Sequence, residues 1–217
     1  MSLHYSAARF LLGAFVGAFS GWEVRGREHV PKSGAVIVAS NHISFWDPVL
    51  IGTAAVREQH FLAKGELFRP PAFGWLIRSF NAIPIRRGIA DMSGLSRAMD
   101  VLRARRSLIL FPEGTRARSG DLRPARPGLG LLAVSTDALV VPTSILGSDR
   151  PGKWLVRQAK LRVEFGPPRT WRELAGADAG LEPGRTLYES VGNGVMREIA
   201  AIRARQLNTA SRGTATP

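Results

Sequence analysis

His42 and Asp47, in the segment Ser40–Pro48 (S-N-H-I-S-F-W-D-P), are the residues of this chain whose types and spacing best suit catalysis. A histidine side chain has an unperturbed pKa near neutral pH and can act as a general base, and a nearby carboxylate can orient its ring. A separation of five residues is about 500° on a helix, which leaves the two side chains roughly 140° apart. In a strand the pair would lie on opposite faces. The two residues therefore need a turn between them, and we call Ser40–Pro48 the His–Asp turn.

Regular structure on both sides is expected to position the His–Asp turn. The apolar run Ala35–Ala39 before it predicts a buried strand. Asp47-Pro48 combines a residue favoured at helix N-caps with proline at the first helical position, which predicts a helix over Val49–Val56. One oxygen of Asp47 is expected to cap this helix while the other orients His42. The alternative is that Asp47 is only a cap and His42 only a loop residue, because short motifs often match by chance.

Two further polar clusters also follow predicted strands. The strand Leu108–Phe111 leads into Pro112–Arg116, with the sequence P-E-G-T-R, and the strand Ala82–Ile85 leads into Arg86-Arg87. Pro84 is typical of a strand at the edge of a sheet. Because open α/β sheets place their chemistry beyond the carboxyl ends of the strands, we expect the three clusters to meet in one cleft.

Strands alternate with helices along the chain, which predicts an α/β fold with a mixed, largely parallel central sheet flanked by helices. Further strands are expected at 22–26, an edge strand, at 60–63, at 139–141 and at 161–165, a half-exposed strand. Further helices are expected at 72–79, 91–105, 128–135 and 186–206. We expect one main domain at 22–207, with an N-terminal helix at 1–21 and a disordered tail at 208–217.

Charge and composition narrow the choice of partners. The net charge of +13 predicts a polyanionic partner, and no helix-turn-helix, zinc-finger or RNA-binding aromatic signature supports nucleic acid. We therefore expect attachment, peripheral or monotopic, to the anionic cytoplasmic face of a membrane. The chain has no cysteine, and its histidines have no spacing that suits a metal ion. The arginines expected to contact anionic lipid are Arg103, Arg105, Arg106, Arg118, Arg123 and Arg126.

The apolar stretch Phe10–Trp22 has three interpretations: a signal peptide, a short membrane-spanning helix, or a helix lying at a membrane surface. We favour an N-terminal membrane-interfacial helix, because the stretch is shorter than the ~18 to 20 apolar residues that cross a bilayer. Its expected membrane anchors are Tyr5, Phe10, Phe15, Phe19 and Trp22. Glycines at every fourth position would let another helix approach closely, namely Gly13, Gly17 and Gly21.

Taken in series, these clusters resemble the glycerophospholipid acyltransferase family, and within it the 1-acylglycerol-3-phosphate acyltransferases. The resemblance covers roughly residues 20–170. It rests on four blocks in the family's order: Asn41-His42 with Asp47, the isoleucine-rich segment ending at Arg87, Phe111–Arg116, and Val141-Pro142. Four short matches in order are far more specific than one.

The resemblance implies a mechanism. His42 would take the proton from an acceptor hydroxyl, while Asp47 fixes the tautomer of the ring and stabilises the imidazolium. The hydroxyl would attack the thioester of acyl-coenzyme A or acyl carrier protein directly, because the chain has neither a cysteine nor a G-x-S-x-G motif to hold an acyl group. Backbone N–H groups near the His–Asp turn are expected to stabilise the oxyanion. No cofactor and no metal is implied beyond these acyl co-substrates.

The resemblance also implies a binding set for a lysophospholipid acceptor. Arg87 and Arg116 would bind its phosphate, since a guanidinium group matches phosphate oxygens. Gly114 would allow close approach of the backbone. The other members of the set are Asn41, Glu113 and Thr115.

The chain departs from the family pattern in its second block. Asn81 stands where glycine is usual, Pro84 where a bulkier apolar residue is common, and Arg86 where an acidic or small polar residue is frequent. These departures concern the acceptor pocket, so the acceptor stays open between 1-acylglycerol 3-phosphate and another lysolipid, a glycolipid or an amino lipid. A non-catalytic basic protein that binds membranes is the alternative from a different class, although it leaves the H-x4-D and E-G-T-R clusters unexplained.

Overall fold

The computed structural model describes residues 2–86, 91–117, 121–156, 158 and 160–212. Within these residues the chain forms one seven-stranded sheet. The strands are β1 (Glu23–Arg25), β2 (Val36–Ser40), β3 (Gln59–Lys64), β4 (Ala82–Ile85), β5 (Ser107–Leu110), β6 (Leu139–Leu146) and β7 (Arg162–Phe165). The helices are α1 (Leu3–Ser20), α2 (Asp47–Ala54), α3 (Pro71–Ser79), α4 (Met92–Arg103), α5 (Gly128–Thr136), α6 (Pro151–Leu155), α7 (Trp171–Ala175) and α8 (Arg185–Arg212).

The sheet has the strand order β1-β7-β6-β2-β5-β3-β4. All neighbouring strands are parallel except β6 and β7, which are antiparallel. The sheet therefore confirms the predicted mixed, largely parallel α/β architecture flanked by helices. Strand β1 lies at one edge and β4, which contains Pro84, at the other, as their sequences indicated.

Helices cover both faces of the sheet, so the middle strand β2 is buried on both sides. On one face Ile37 and Ala39 pack into a core completed by α4, α5, α7 and α8. On the other face Val36 and Val38 pack with α1, α2 and α6. Strand β2 is thus held on both faces, which fixes the point at which the His–Asp turn leaves the sheet.

Several elements differ from the predicted ones. Strand β6 continues through Pro142, which lies just before the residues that pair with β7, a place where a strand tolerates a proline. The segment 161–165 is largely buried rather than half-exposed, because β7 lies between β1 and β6. Helices α6 and α7 were not predicted. Helix α8 extends to Arg212, so the start of the expected disordered tail 208–217 is helical, and residues 213–217 lie outside the described part.

Helix α1 packs against α2 and carries many exposed apolar side chains. Phe10, Phe15 and Phe19 are exposed, and their role as membrane anchors stays a prediction. Tyr5 is buried and its hydroxyl accepts a hydrogen bond from the N–H of Gln59 at 3.2 Å, so the prediction that it is a membrane anchor was wrong. Trp22 is half-buried and packs against the core beneath α1 and α2.

The three spaced glycines do not form one helix-contact surface. A Cβ at Gly13 would lie 3.5 Å from Thr53 of α2, an ordinary contact distance. A Cβ at Gly17 would meet nothing within 4 Å, and Gly21 ends the helix with φ +58°. None of the helices in the described ranges has the length and apolarity needed to cross a bilayer.

Candidate active site

The two residues of the predicted pair meet in the His–Asp turn. Nδ1 of His42 lies 2.8 Å from Oδ2 of Asp47, and both side chains are buried. The chain turns because the same Oδ2 accepts hydrogen bonds from the N–H groups of Ile43 and Ser44, each at 2.8 Å. An ionised carboxylate only accepts hydrogen bonds, so the Nδ1 of His42 carries the hydrogen. This leaves Nε2 as the nitrogen that can take a proton from a substrate.

Asp47 does not cap the helix that follows it. Helix α2 begins at Asp47-Pro48, close to the predicted start, but its N-cap is Trp46, and within the described residues this cap has no side-chain hydrogen bond. The Oδ2 atom is occupied by the turn, and the Oδ1 atom accepts a hydrogen bond from Oγ of Ser148 at 2.5 Å. The predicted capping role was wrong, because Oδ2 bonds the turn and Oδ1 bonds Ser148 instead.

The backbone of His42 is joined to the segment after β5. Its N–H donates to Oε1 of Glu113 at 3.2 Å, and its carbonyl accepts from the N–H of Ala117 at 2.8 Å. The other oxygen of Glu113 accepts from the N–H of Arg123 at 3.2 Å. Burial raises the pKa of Glu113, and the hydrogen bonds from His42 and Arg123 partly oppose that rise. Glu113 is thus a buried connector between the turn and its neighbour.

Three backbone N–H groups of the His–Asp turn already have acceptors within the chain. Those of Ile43 and Ser44 donate to Asp47, and that of His42 donates to Glu113. These three N–H groups are therefore not free for an oxyanion, and the predicted role of backbone N–H groups near the turn stays a prediction.

The ring of His42 is also fixed from one side. The ring of Phe111, directly after β5, stacks on it with centroids 3.9 Å apart and planes 17° apart. Stacking and the bond to Asp47 together define both the plane and the rotation of the imidazole. Nε2 can then be held in one direction relative to a bound substrate.

Asn41 ties the turn to β6 through both polar atoms of its side chain. Its Nδ2 donates to the carbonyl of Ile145 at 3.0 Å, and its Oδ1 accepts from the N–H of Ile145 at 2.9 Å. The side chain is fully buried. The expected role of Asn41 in substrate binding is therefore replaced by a structural one, and the same holds for Glu113, whose two oxygens are bonded to backbone.

A cavity of about 610 Å³ lies beside His42. This volume falls in the range of pockets that hold organic ligands. Its wall is largely apolar and comes mainly from α1, the His–Asp turn, α2, β3 and α3, including Leu12, Val49, Phe73 and Leu76. Arg116 lines the same cavity. The predicted meeting of the β2 and β5 clusters is thus confirmed.

Arg116 is exposed, and among the described residues its side chain has no hydrogen-bond or ion-pair partner. Thr115 is half-buried on the same turn. Arg87, the other predicted phosphate ligand, lies outside the described residues. The described end of that block is Arg86, whose N–H donates to Oδ2 of Asp91 at 2.7 Å.

Gly114 allows a close approach to its backbone, but the group that approaches is a side chain of the protein itself. Its φ is +72°, and a Cβ there would lie 2.7 Å from Cδ and Nε of Arg126. The backbone N–H of Arg126 donates to the carbonyl of Pro112 at 2.8 Å, which holds the two segments together. Gly114 therefore places a second arginine beside the turn that carries Arg116.

Comparison with known proteins shows the family of this chain. The family model described as Acyltransferase matches residues 21–146. The chain belongs to the Acyltransferase family. A 1-acyl-sn-glycerol-3-phosphate acyltransferase of Streptococcus pneumoniae is 31% identical over 156 residues, which are 68% of this chain and 57% of the relative. A lyso-ornithine lipid O-acyltransferase of Pseudomonas aeruginosa is 34% identical over 125 residues, which are 57% of this chain and 47% of that relative.

A solved member of the family has a similar structure. The crystal structure of the 1-acyl-sn-glycerophosphate (LPA) acyltransferase PlsC from Thermotoga maritima has a TM-score of 0.64 and 26% identity to this acyltransferase-family chain. The match covers 94% of this chain and 84% of PlsC. The chain spans about half the length of the curated relatives it matches.

The structure explains one departure from the family pattern. Asn81 has φ +64°, in the left-handed region that glycine enters easily and asparagine more readily than most other residues. Its Nδ2 donates to Oε1 of Glu58 at 2.9 Å. Asn81 thus preserves the backbone turn that the usual glycine provides.

Three contacts of this acyltransferase-family site were not predicted: the Ser148 hydroxyl on Asp47, the Phe111 ring on His42, and the Arg126 side chain on Gly114. Phe111 and Arg126 belong to segments already associated with the site. Ser148 lies 101 residues from Asp47 and carries no local signal of its role.

Proposed function

We propose that this chain transfers a fatty acyl group from a thioester donor to the free hydroxyl of a lysophospholipid, with 1-acylglycerol 3-phosphate as the acceptor and phosphatidic acid as the product. The observation that carries the proposal is the buried His42–Asp47 pair on the wall of a 610 Å³ apolar cavity that also exposes Arg116. The cavity would hold an acyl chain, and the arginine would bind an anionic head group. Family membership supports the acyl-transfer chemistry.

In the proposed reaction Nε2 of His42 takes the proton from the acceptor hydroxyl as its oxygen adds to the thioester carbonyl. Asp47 stabilises the imidazolium that forms. The carbon–sulfur bond then breaks, and the leaving sulfur takes the proton from Nε2, so the products are an ester and a free thiol. The donor is acyl-coenzyme A or acyl carrier protein. No acyl-enzyme forms, because the chain has no cysteine and the histidine activates the acceptor itself.

The acceptor phosphate is assigned to Arg116, together with Arg87. Guanidinium groups bind phosphate through paired, charge-assisted hydrogen bonds. Arg116 lies on the cavity that holds His42, so a phosphate at Arg116 would place the neighbouring glycerol hydroxyl near Nε2. Arg126, packed on Gly114, supplies a further positive charge beside it.

The protein would reach its lipid substrates by lying on a membrane. Ala8 and Leu12 line the cavity, and Phe15 and Phe19 continue the same helical stripe into solvent. Phe45 and Trp46 of the His–Asp turn and Phe73 of α3 also line the cavity and are exposed. We call this set the apolar rim: Phe15, Phe19, Phe45, Trp46, Phe73, and Trp75 and Leu76 of α3.

Exposed aromatic side chains of this kind insert at membrane interfaces. The net charge of +13 would add attraction to anionic lipid on the cytoplasmic face. An apolar rim around the cavity would let a lysophospholipid pass from the bilayer to His42 without exposing its acyl chain to water. This supports the predicted peripheral attachment through the N-terminal helix.

A second acceptor is favoured by one comparison. The Pseudomonas aeruginosa relative is named as a lyso-ornithine lipid O-acyltransferase. An acylated amino lipid could use the same base and the same cavity, with a different polar contact in place of the phosphate.

The proposal is tested by thiol release from acyl-coenzyme A, with acyl carrier protein as the second donor and with lysophosphatidic acid or lyso-ornithine lipid as acceptors. A thiol reagent detects only product, since the protein has no cysteine. We expect release that depends on lysophosphatidic acid and falls at least about 10³-fold in His42→Ala. His4→Ala, which removes an exposed histidine of α1, is the matched control and should retain activity.

Each other outcome changes the proposal. Release only with lyso-ornithine lipid would replace the acceptor. Release that survives His42→Ala would remove His42 as the base. Vesicle binding without any release, with both donors, would favour the non-catalytic membrane-binding protein. An acyl adduct on the protein after one turnover, seen by mass spectrometry, would contradict direct transfer.

A further inference from the structure

We propose that Ser148 is a positioning residue of the catalytic pair: its hydroxyl holds the second oxygen of Asp47 and thereby fixes the direction in which Nε2 of His42 points. The expected effect on kcat rests on the proposed function. The expected effect on the geometry of the pair rests on the hydrogen bonds alone. Ser148 stands outside the four sequence blocks through which the chain resembles its family.

The two oxygens of Asp47 have different partners. Oδ2 accepts three hydrogen bonds from the His–Asp turn itself: from Nδ1 of His42 and from the N–H groups of Ile43 and Ser44. Oδ1 accepts from Oγ of Ser148, its partner within the described residues. Ser148 and Asp47 are both fully buried. Ser148 therefore provides the contact that ties this carboxylate to a distant part of the chain.

The fold brings Ser148 to Asp47 through strand order. Strands β2 and β6 are neighbours and parallel, so the chain leaves both at the same edge of the sheet. Gly147 follows β6 with φ +82°, and a Cβ there would collide with the carbonyl of Lys160. This turn accommodates glycine but not a Cβ, and it directs the chain so that Ser148 lies near the end of β2. The bonds between Asn41 and Ile145 hold the two strand ends together beside it.

The hydroxyl matters because a carboxylate held at one oxygen can still rotate. With Ser148 on Oδ1 and the turn on Oδ2, rotation would break hydrogen bonds to a charged group, which are the stronger class. Without the Ser148 hydroxyl, Oδ1 of Asp47 would be buried and would lose this hydrogen-bond donor. Asp47 would shift to regain one, and His42 would move with it. Catalysis by oriented groups is sensitive to shifts well below the size of an atom.

The test compares Ser148→Ala with Ser148→Thr, which keeps a hydroxyl, and with Ser144→Ala. Ser144 is the matched control, because it is a buried serine of β6 whose hydroxyl donates to Oε1 of Gln206 at 2.8 Å, away from His42. We expect Ser148→Ala to lower kcat about tenfold with KM for the acceptor within about twofold. The kcat of Ser148→Thr should stay within about threefold of that of the wild type. Ser144→Ala should lower the melting temperature without changing kcat.

A second readout does not depend on turnover. The proton on Nδ1 of His42, which is bonded to Asp47, should give a downfield NMR resonance that is identified by its loss in His42→Ala. We expect this resonance to move upfield in Ser148→Ala, to remain in Ser148→Thr and to be unaffected in Ser144→Ala.

An unchanged resonance in folded Ser148→Ala overturns the positioning role, and so does a kcat equal to that of the wild type. If Ser148→Ala does not fold, folded Ser148→Thr decides: a displaced resonance with reduced kcat despite the retained hydroxyl overturns the proposal. If the wild type acylates no acceptor, the proposed function fails, while the resonance still decides whether Ser148 holds the pair.

Discussion

The His–Asp turn and the region around the cavity are adjacent but are built differently. Asp47 is 0% exposed and accepts four hydrogen bonds, and His42 is bonded at its ring, its N–H and its carbonyl. Trp75 on the neighbouring helix is 70% exposed, and Arg116 is exposed with no side-chain partner in the described part of the chain. One region is fixed before any substrate arrives, and the other is open to it.

The difference matches two physical requirements. A general base must be held within a fraction of an ångström of one geometry, which buried and mutually satisfied hydrogen bonds provide. A surface that receives lipids must instead expose apolar and cationic groups that find their partners outside the protein. Changes to the turn should therefore affect kcat, and changes around the cavity should affect KM or membrane binding.

The largest effect around the cavity is expected at Arg116. Arg116→Ala should raise KM for lysophosphatidic acid about 30-fold with little change in kcat, because it removes charge-assisted hydrogen bonds to the phosphate. Steady-state kinetics on detergent-dispersed acceptor would measure this. Arg185→Ala, which removes an exposed arginine at the start of α8, controls for the loss of one positive charge. A fall in kcat alone would place Arg116 with the turn instead.

Within the turn, Glu113→Gln should lower kcat about tenfold and leave KM nearly unchanged. The amide can accept from only one of the two N–H groups that now share the carboxylate, those of His42 and Arg123. Glu182 is an exposed carboxylate, and Glu182→Gln is the control. An equal loss of kcat in Glu182→Gln would show that the effect is not specific to the turn.

The same substitution should change the pH dependence of stability. Because burial raises the pKa of Glu113 above its ordinary value of 4.5, the folded protein holds this proton more tightly than the unfolded chain. Stability from this group is present below pH 4.5 and is lost as pH rises through the folded pKa. The free energy of unfolding of the wild type minus that of Glu113→Gln, measured in urea, should therefore decrease as pH rises from 4.5. If this difference in the free energy of unfolding stays constant with pH, the prediction is contradicted.

The smallest effect is expected on the apolar rim. Trp75→Ser should weaken binding to phosphatidylglycerol vesicles about fivefold, since it removes one exposed aromatic side chain from the surface that would enter the bilayer. Flotation with vesicles would measure the change, and turnover of a water-soluble short-chain acceptor should not move. Leu181→Ser, an exposed apolar residue before α8, is the matched control. If both variants bind alike, the rim is not the membrane surface.

Local pattern was sufficient for much of the fold and for the pairing of His42 with Asp47. The spacing of His42 and Asp47, with Pro48 after them, required a turn followed by a helix, and both are present. Each apolar run that we interpreted as a strand lies in the sheet, and Pro84 lies in an edge strand as expected. These features depend on residues a few positions apart, whose effects on φ and ψ are local and so can be predicted from the sequence.

Tertiary structure decided what each polar group touches. Asn41, Glu113 and Gly114 lie in or beside the His–Asp turn and its neighbouring segment, where they contact Ile145, backbone N–H groups and Arg126. Tyr5 was expected at a membrane and instead packs in the core.

The sequence alone therefore determined the contact between His42 and Asp47 at the end of β2, because both residues lie within one short turn. Packing across the whole sheet decided which strands flank β2, and these are β5 and β6. This is why Ser148 could not be found from sequence. Its hydroxyl meets Asp47 only because two strands distant in the chain became neighbours, and no periodicity near residue 148 encodes that order.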